Sequence, residues 1–217
     1  MSDALLSPRF LFRFRVPLRY CKEACGLAKF SLGDAYRLWN PAQLDEERTF
    51  ADMRMGWNEQ GIALAARVTG KRQPPWCRDT KPEDSDGLQV WLDTRDTHNI
   101  HRASRYCHRF VFLPAGVGRQ NEQAFADQMI INRARENAKP IRPGALSVHA
   151  EVRADGYMLQ GFIPSGAITG YEPAEHPRLG FTYAIQDREL GLQTFSVGSG
   201  FPYDEDPSVW ATLELLR

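Results

Sequence analysis

Met53-Arg54-Met55-Gly56-Trp57 and Ile62-Ala63-Leu64-Ala65-Ala66-Arg67-Val68, joined by Asn58-Glu59-Gln60-Gly61, carry the fold decision. In the first run Met53, Met55 and Trp57 alternate with Arg54 and Gly56. In the second, Ile62, Leu64, Ala66 and Val68 fall on every other position. A strand with one buried face needs this pattern, because successive side chains point to opposite sides of a sheet. The polar stretch between the runs turns the chain, so together they predict a hairpin across residues 52–69.

The same period recurs along the chain. Phe10, Phe12, Phe14 and Val16 alternate with Leu11, Arg13 and Arg15. Leu88, Val90 and Leu92 alternate with Gln89, Trp91 and Asp93. Tyr106, His108, Phe110 and Phe112 make a further run, stopped by Pro114 and Gly116. Leu146, Val148, Ala150 and Val152 turn at Ala154-Asp155-Gly156 into Tyr157, Leu159, Gly161 and Ile163. Phe181, Tyr183 and Ile185 form another strand, and Val209, Ala211, Leu213 and Leu215 a last one. Residues 70–87, with Pro74, Pro75 and Pro82, read as an irregular loop because proline cannot donate to a ladder. Pro164 to Gly170 reads as one helical turn. The segment 121–138 fits two patterns: Phe125 and Met129 a helical face, Met129-Ile130-Ile131 a short strand. It is taken as a long excursion with about two helical turns. About nine short strands with frequent turn residues predict an all-β, antiparallel β-sandwich of jelly-roll or immunoglobulin-like kind. Long loops and one or two short helical turns complete it, in a single domain over 1–217.

The chain has 217 residues, with 27 basic and 27 acidic side chains and a formal net charge of zero. That balance gives no global attraction for nucleic acid or an anionic membrane. No apolar run approaches the ~20 residues of a membrane span. The first twenty residues alternate Phe with Arg, unlike a secretory signal. The expectation is a soluble protein, cytoplasmic by default. Cys21, Cys25, Cys77 and Cys107 are then reduced thiols, and the Cys21/Cys25 spacing does not make a zinc knuckle. A basic excess in 98–142, with Arg102, Arg105 and Arg109, faces an acidic excess in 143–217.

Several constellations bear on chemistry. His98, His101, Cys107 and His108 are ligand-type side chains, but Cys107 and His108 point to opposite faces of one strand and cannot share an ion. No cofactor is expected, but Asp84, Asp86, Asp93 and Asp96 surround one strand and offer oxygen ligands for a structural calcium ion. No nucleophile elbow or phosphate loop occurs. The obvious acid pair for glycan hydrolysis is Asp204 and Asp206. Aromatic residues in polar loops are the remaining lead: Trp76 after Pro74-Pro75, and Phe201 and Tyr203 before the last strand. A planar ring beside hydrogen-bonding side chains suits a sugar, whose C–H face stacks while its hydroxyls are bonded.

The order of these features resembles family 9 carbohydrate-binding modules and the wider DOMON-like sandwich superfamily. The resemblance rests on Asp86-Gly87-Leu88-Gln89-Val90-Trp91-Leu92-Asp93, Arg109-Phe110-Val111-Phe112, Asp155-Gly156-Tyr157 leading to Phe162-Ile163-Pro164, Leu179-Gly180-Phe181, and Asp206 to Leu213. It implies a non-catalytic module whose sugar lies between two rings, Trp76 and Tyr203 or Phe201. It also implies hydrogen bonds from Gln89, where an acid is usual, and from Arg109, with His108 as the one-residue alternative. Some DOMON-like relatives hold haem through Met and His, for which Met53, Met55 and His149 would be drafted. The expected partner is thus a carbohydrate or similar small polar ligand, with no nucleic acid and no membrane. The competing reading is a structural, protein-interaction sandwich without a ligand.

Overall fold

The computed structural model describes residues 11–22, 30–41, 44, 49–198 and 200–217. Among them eleven strands form two sheets packed face to face. Strands β2 (Ala51–Asn58), β3 (Gly61–Thr69), β8 (Gly156–Pro164) and β7 (Ser147–Arg153) make a four-stranded antiparallel sheet in that order. The second sheet runs β1 (Arg15–Arg19), β11 (Ala211–Leu216), β9 (Arg178–Asp187), β4 (Gly87–Asp93), β5 (Cys107–Val117) and β6 (Gln123–Met129). A short strand, β10 (Gly191–Thr194), is added on β9. All its pairings are antiparallel except β1 with β11.

The core is built by the alternation. Met53, Met55, Trp57, Ile62, Leu64 and Val68 of one sheet pack on Leu88, Val90, Leu92, Phe110, Phe112 and Phe181 of the other. The 52–69 hairpin forms with Asn58 opposite Gly61, as expected. Gly61 (φ 148°) and Gly156 (φ 152°) start the two strands that pair with each other. A Cβ on either would stand 2.1 Å from a carbonyl oxygen of the neighbouring strand, so only glycine fits there.

Four expectations are corrected. The first strand is Arg15–Arg19, not the 10–16 run, and Phe12 is exposed; Phe10 lies outside the described residues. β5 continues past Pro114 to Val117 through an irregularity in its register with β6. Residues 123–129 are a strand followed by irregular chain, with no helix. β10 is additional. Pro164 does precede a single 3-10 turn, Ser165–Ala167. No described helix is long and apolar enough to cross a membrane.

Candidate functional site

Because Leu88, Val90 and Leu92 enter the core, Gln89 and Trp91 must leave by the other face of β4. In register, Trp91 lies opposite Arg109 of β5 and Thr182 of β9, while Gln89 lies beside Ala184. The loop before β11 folds over this face. The Trp91 Nε1–H donates to the Asp204 carbonyl (3.1 Å) and the Trp210 Nε1–H to the Tyr203 carbonyl (2.7 Å). Tyr203 then stands edge-on to Trp91, with centroids 5.7 Å apart and planes at 84°. The result is a groove of about 470 Å3 lined by Gln89, Trp91, Arg109, Tyr203, Asp204 and Leu192, with Glu83 and Asp84 also on its wall.

Its floor is a buried polar pair. Gln89 is 7% exposed and Arg109 8%. Arg109 donates from Nε (3.1 Å) and Nη2 (2.6 Å) to Gln89 Oε1, and its guanidinium lies 5.2 Å from the Trp91 ring centroid. Nη1 reaches only the Ile130 carbonyl, at 3.5 Å. A guanidinium carries five N–H donors, so this one retains hydrogen-bonding capacity towards the groove. Burial lowers the Arg109 pKa, while Asp204 and Glu83 pull it back up. The Tyr203 hydroxyl is pushed up by burial and by Asp204.

Of the side chains singled out in the sequence, Gln89, Arg109, Tyr203, Asp204 and Asp84 share this groove. Trp76 does not. Its backbone is tied to the entrance of β4, with its N–H donating to Asp86 Oδ2 (3.0 Å) and its carbonyl accepting from the Asp86 N–H (2.8 Å). Its ring is flanked by the Arg188 and Arg78 guanidinium carbons at 4.2 and 4.8 Å. Phe201 is also off the groove wall; its N–H donates to the Gly198 carbonyl. His108 faces the opposite way from Arg109. It is 1% exposed and stacked on Phe110 at 5.7 Å, and burial drives its pKa down to about 4. The one-residue alternative therefore points into the sandwich. Trp91 is the residue that sequence reasoning overlooked, although the alternation that turns Gln89 outward turns it outward too.

Of the four carboxylates proposed for calcium, Asp84 lies on the groove wall and the other three are engaged. Asp86 accepts from the Arg188 N–H (2.7 Å), the Trp76 N–H and Lys71 Nζ (3.1 Å). Asp93 closes a turn by accepting from the Arg95 and Thr97 N–H groups, and burial pushes its carboxyl up. Asp96 accepts from the Thr212 hydroxyl and lies 2.9 Å from His98 Nε2. His101 pairs with Asp206 Oδ2 at 3.1 Å, and Asp206 Oδ1 accepts from the Ser208 N–H. Asp204 lines the groove and Asp206 does not. Among the described residues, the side chains close enough to share an ion are Glu172, Glu175 and His176 instead. Met53 and Met55 are buried between the sheets, while His149 pairs with Gln160 on the far edge of the four-stranded sheet. They do not converge. Cys21, Cys77 and Cys107 are free, buried thiols; Cys25 lies outside the described residues.

No protein-family model matches the chain. No curated protein matches it either. Solved structures do. A family 9 carbohydrate-binding module from Caldicellulosiruptor kristjanssonii, in complex with cellotriose, superposes with a TM-score of 0.61 at 15% identity, covering 93% of each chain. The glucose complex of a module of the same family and organism gives 0.60 at 13% identity, over 94% of this chain and 96% of that one. A chain from Bacteroides uniformis gives 0.53 at 12% identity, over 92% and 99%. The fold is that of family 9 carbohydrate-binding modules.

Proposed function

We propose that this chain binds a carbohydrate, without catalysing its conversion, in the groove over β4 and β5. The observation that carries the reading is the Gln89–Arg109 pair, nearly buried yet with spare donors opening on a cavity walled by Tyr203 and Leu192. Sugar hydroxyls accept from the guanidinium and donate to the carboxylates of Asp204, Glu83 and Asp84, while the ring face rests on apolar surface. Glucose and cellotriose, bound by the structural neighbours, are the first ligands to try.

The test is calorimetric titration with both sugars up to about 10 mM, where even a Kd of ~1 mM is visible. Saturable binding is expected, weakened about 10- to 100-fold by Arg109→Met, the loss of hydrogen bonds from a charged donor. Absence of saturation with either sugar, or an unchanged Kd in Arg109→Met, overturns the reading.

A further inference from the structure

A second cavity adjoins the groove. It measures about 220 Å3 and is lined by Ala103, Cys107, Ile131, Ala134, Pro140 and the pair Met129 and Ile130. Met129 and Ile130 also line the groove, so the two depressions share a wall. Ile130, 67% exposed, stands between the two hollows.

The pocket is held open by its frame. The chain after β6 is laced to the Ala103 loop: the Arg135 N–H donates to the Ala103 carbonyl (2.8 Å) and Arg102 Nε to the Arg133 carbonyl (2.8 Å). On the other side the Gln128 amide clamps residues 139–141, donating to the Lys139 carbonyl (3.2 Å) and accepting from the Ile141 N–H (3.0 Å). Of the polar residues on the lining, Gln128 is spent on the frame and Glu136 pairs with Arg105 (3.8 Å), which leaves Asn137 at the edge of an otherwise apolar wall. Burial pushes the Cys107 thiol up to about 12, so its sulfur presents no charge. Apolar cavities of roughly 150 Å3 stay dry and accept a benzene ring.

We infer that this pocket receives an apolar substituent, of about the size of a phenyl ring, carried by the ligand whose sugar occupies the groove. The shared Met129–Ile130 wall is the reason to assign both hollows to one molecule. The inference rests on the carbohydrate reading and narrows it to glycosides with an apolar aglycone.

Titration with methyl and phenyl β-D-glucosides tests it. The phenyl compound is expected to bind about ten-fold tighter or more, the effect of burying a ring. Ala134→Leu, which fills the pocket, is expected to bring that ratio close to one. Equal binding of the two glucosides to the natural protein, or a preference that survives Ala134→Leu, overturns the pocket assignment alone. If neither glucoside binds, the carbohydrate reading falls and takes this inference with it. Methyl NMR on the natural protein gives a readout that needs no variant. Benzyl alcohol is expected to shift Met129, Ile131 and Ala103 selectively, and unmoved methyls there also overturn the assignment.

Discussion

The seven-stranded sheet holds two buried polar clusters that differ in one respect. At the entrance of β4, Lys71 Nζ reaches Asp86 Oδ2 at 3.1 Å and both oxygens of Asp187 at 2.8 and 2.6 Å, and all three residues are buried. Asp86 Oδ1 accepts the Arg188 N–H, and oxygens already bonded to Lys71 accept further backbone N–H groups, Asp86 Oδ2 from Trp76 and Asp187 Oδ1 from Glu189 and Leu190. That cluster is closed. Three residues after Asp86, Gln89 of β4 and its partner Arg109 of β5 are almost as buried, but the guanidinium has donors that no side chain takes up. Burial of charge is common to both, so it does not mark a binding site. Unspent hydrogen-bonding capacity opening on a groove is what sets the second cluster apart, and it is the basis of the proposed site.

Breaking the closed cluster should have the largest effect. Lys71→Met leaves two aspartates buried without a cation, and a loss of about 3–5 kcal/mol is expected in denaturant unfolding. A loss below about 1 kcal/mol would mean the triad is not a closed unit. His108, on the inner face of β5 beside Arg109, sharpens the contrast from the other side. Its pKa falls from the ordinary 6.5 to about 4. The unfolded chain therefore takes up the proton first, and stability is full above pH 6.5 and declines as pH drops towards 4. The share lost is about 3 kcal/mol, and His108→Leu should flatten the unfolding free energy across that interval. If the acid decline is the same in the variant, His108 is not its source. Trp76→Ala should do least. The two cation–π contacts are each worth about 0.5–1 kcal/mol, and the Kd for sugar should stay within about two-fold. Collapse of binding in this variant would move the site to Trp76.

The fold was legible where alternation was strict. Met53 to Val68, Leu88 to Leu92 and Leu146 to Ile163 read as strands because one face of each is fully apolar. β6 was not legible, since Gln123–Met129 places polar residues on both phases and none of them is fully buried. β10 escaped because it is only four residues long and its partners, β9 and the backbone of Phe50 and Ala51, are not local in sequence. Gln89 and Arg109 were readable as outward residues from the same alternation, and Tyr203 from its place before the last strand. The setting of Trp76 was not legible, because Arg188, which flanks its ring, lies far along the chain and period-two patterns say nothing about loop partners. Trp91 was overlooked because a tryptophan in a strand is usually read as core, and its ring is indeed only 1% exposed.

The parallel pairing of Arg15–Arg19 with Thr212–Leu216 has a consequence for how the molecule is made. During translation the nascent chain must carry β1 without its neighbour until nearly two hundred further residues have left the ribosome. The four-stranded sheet, whose hairpins are local, can assemble early. The larger one cannot be completed until residues 211–216 have emerged, so an uncovered edge awaiting its late partner is where chaperone attention and misassembly should concentrate.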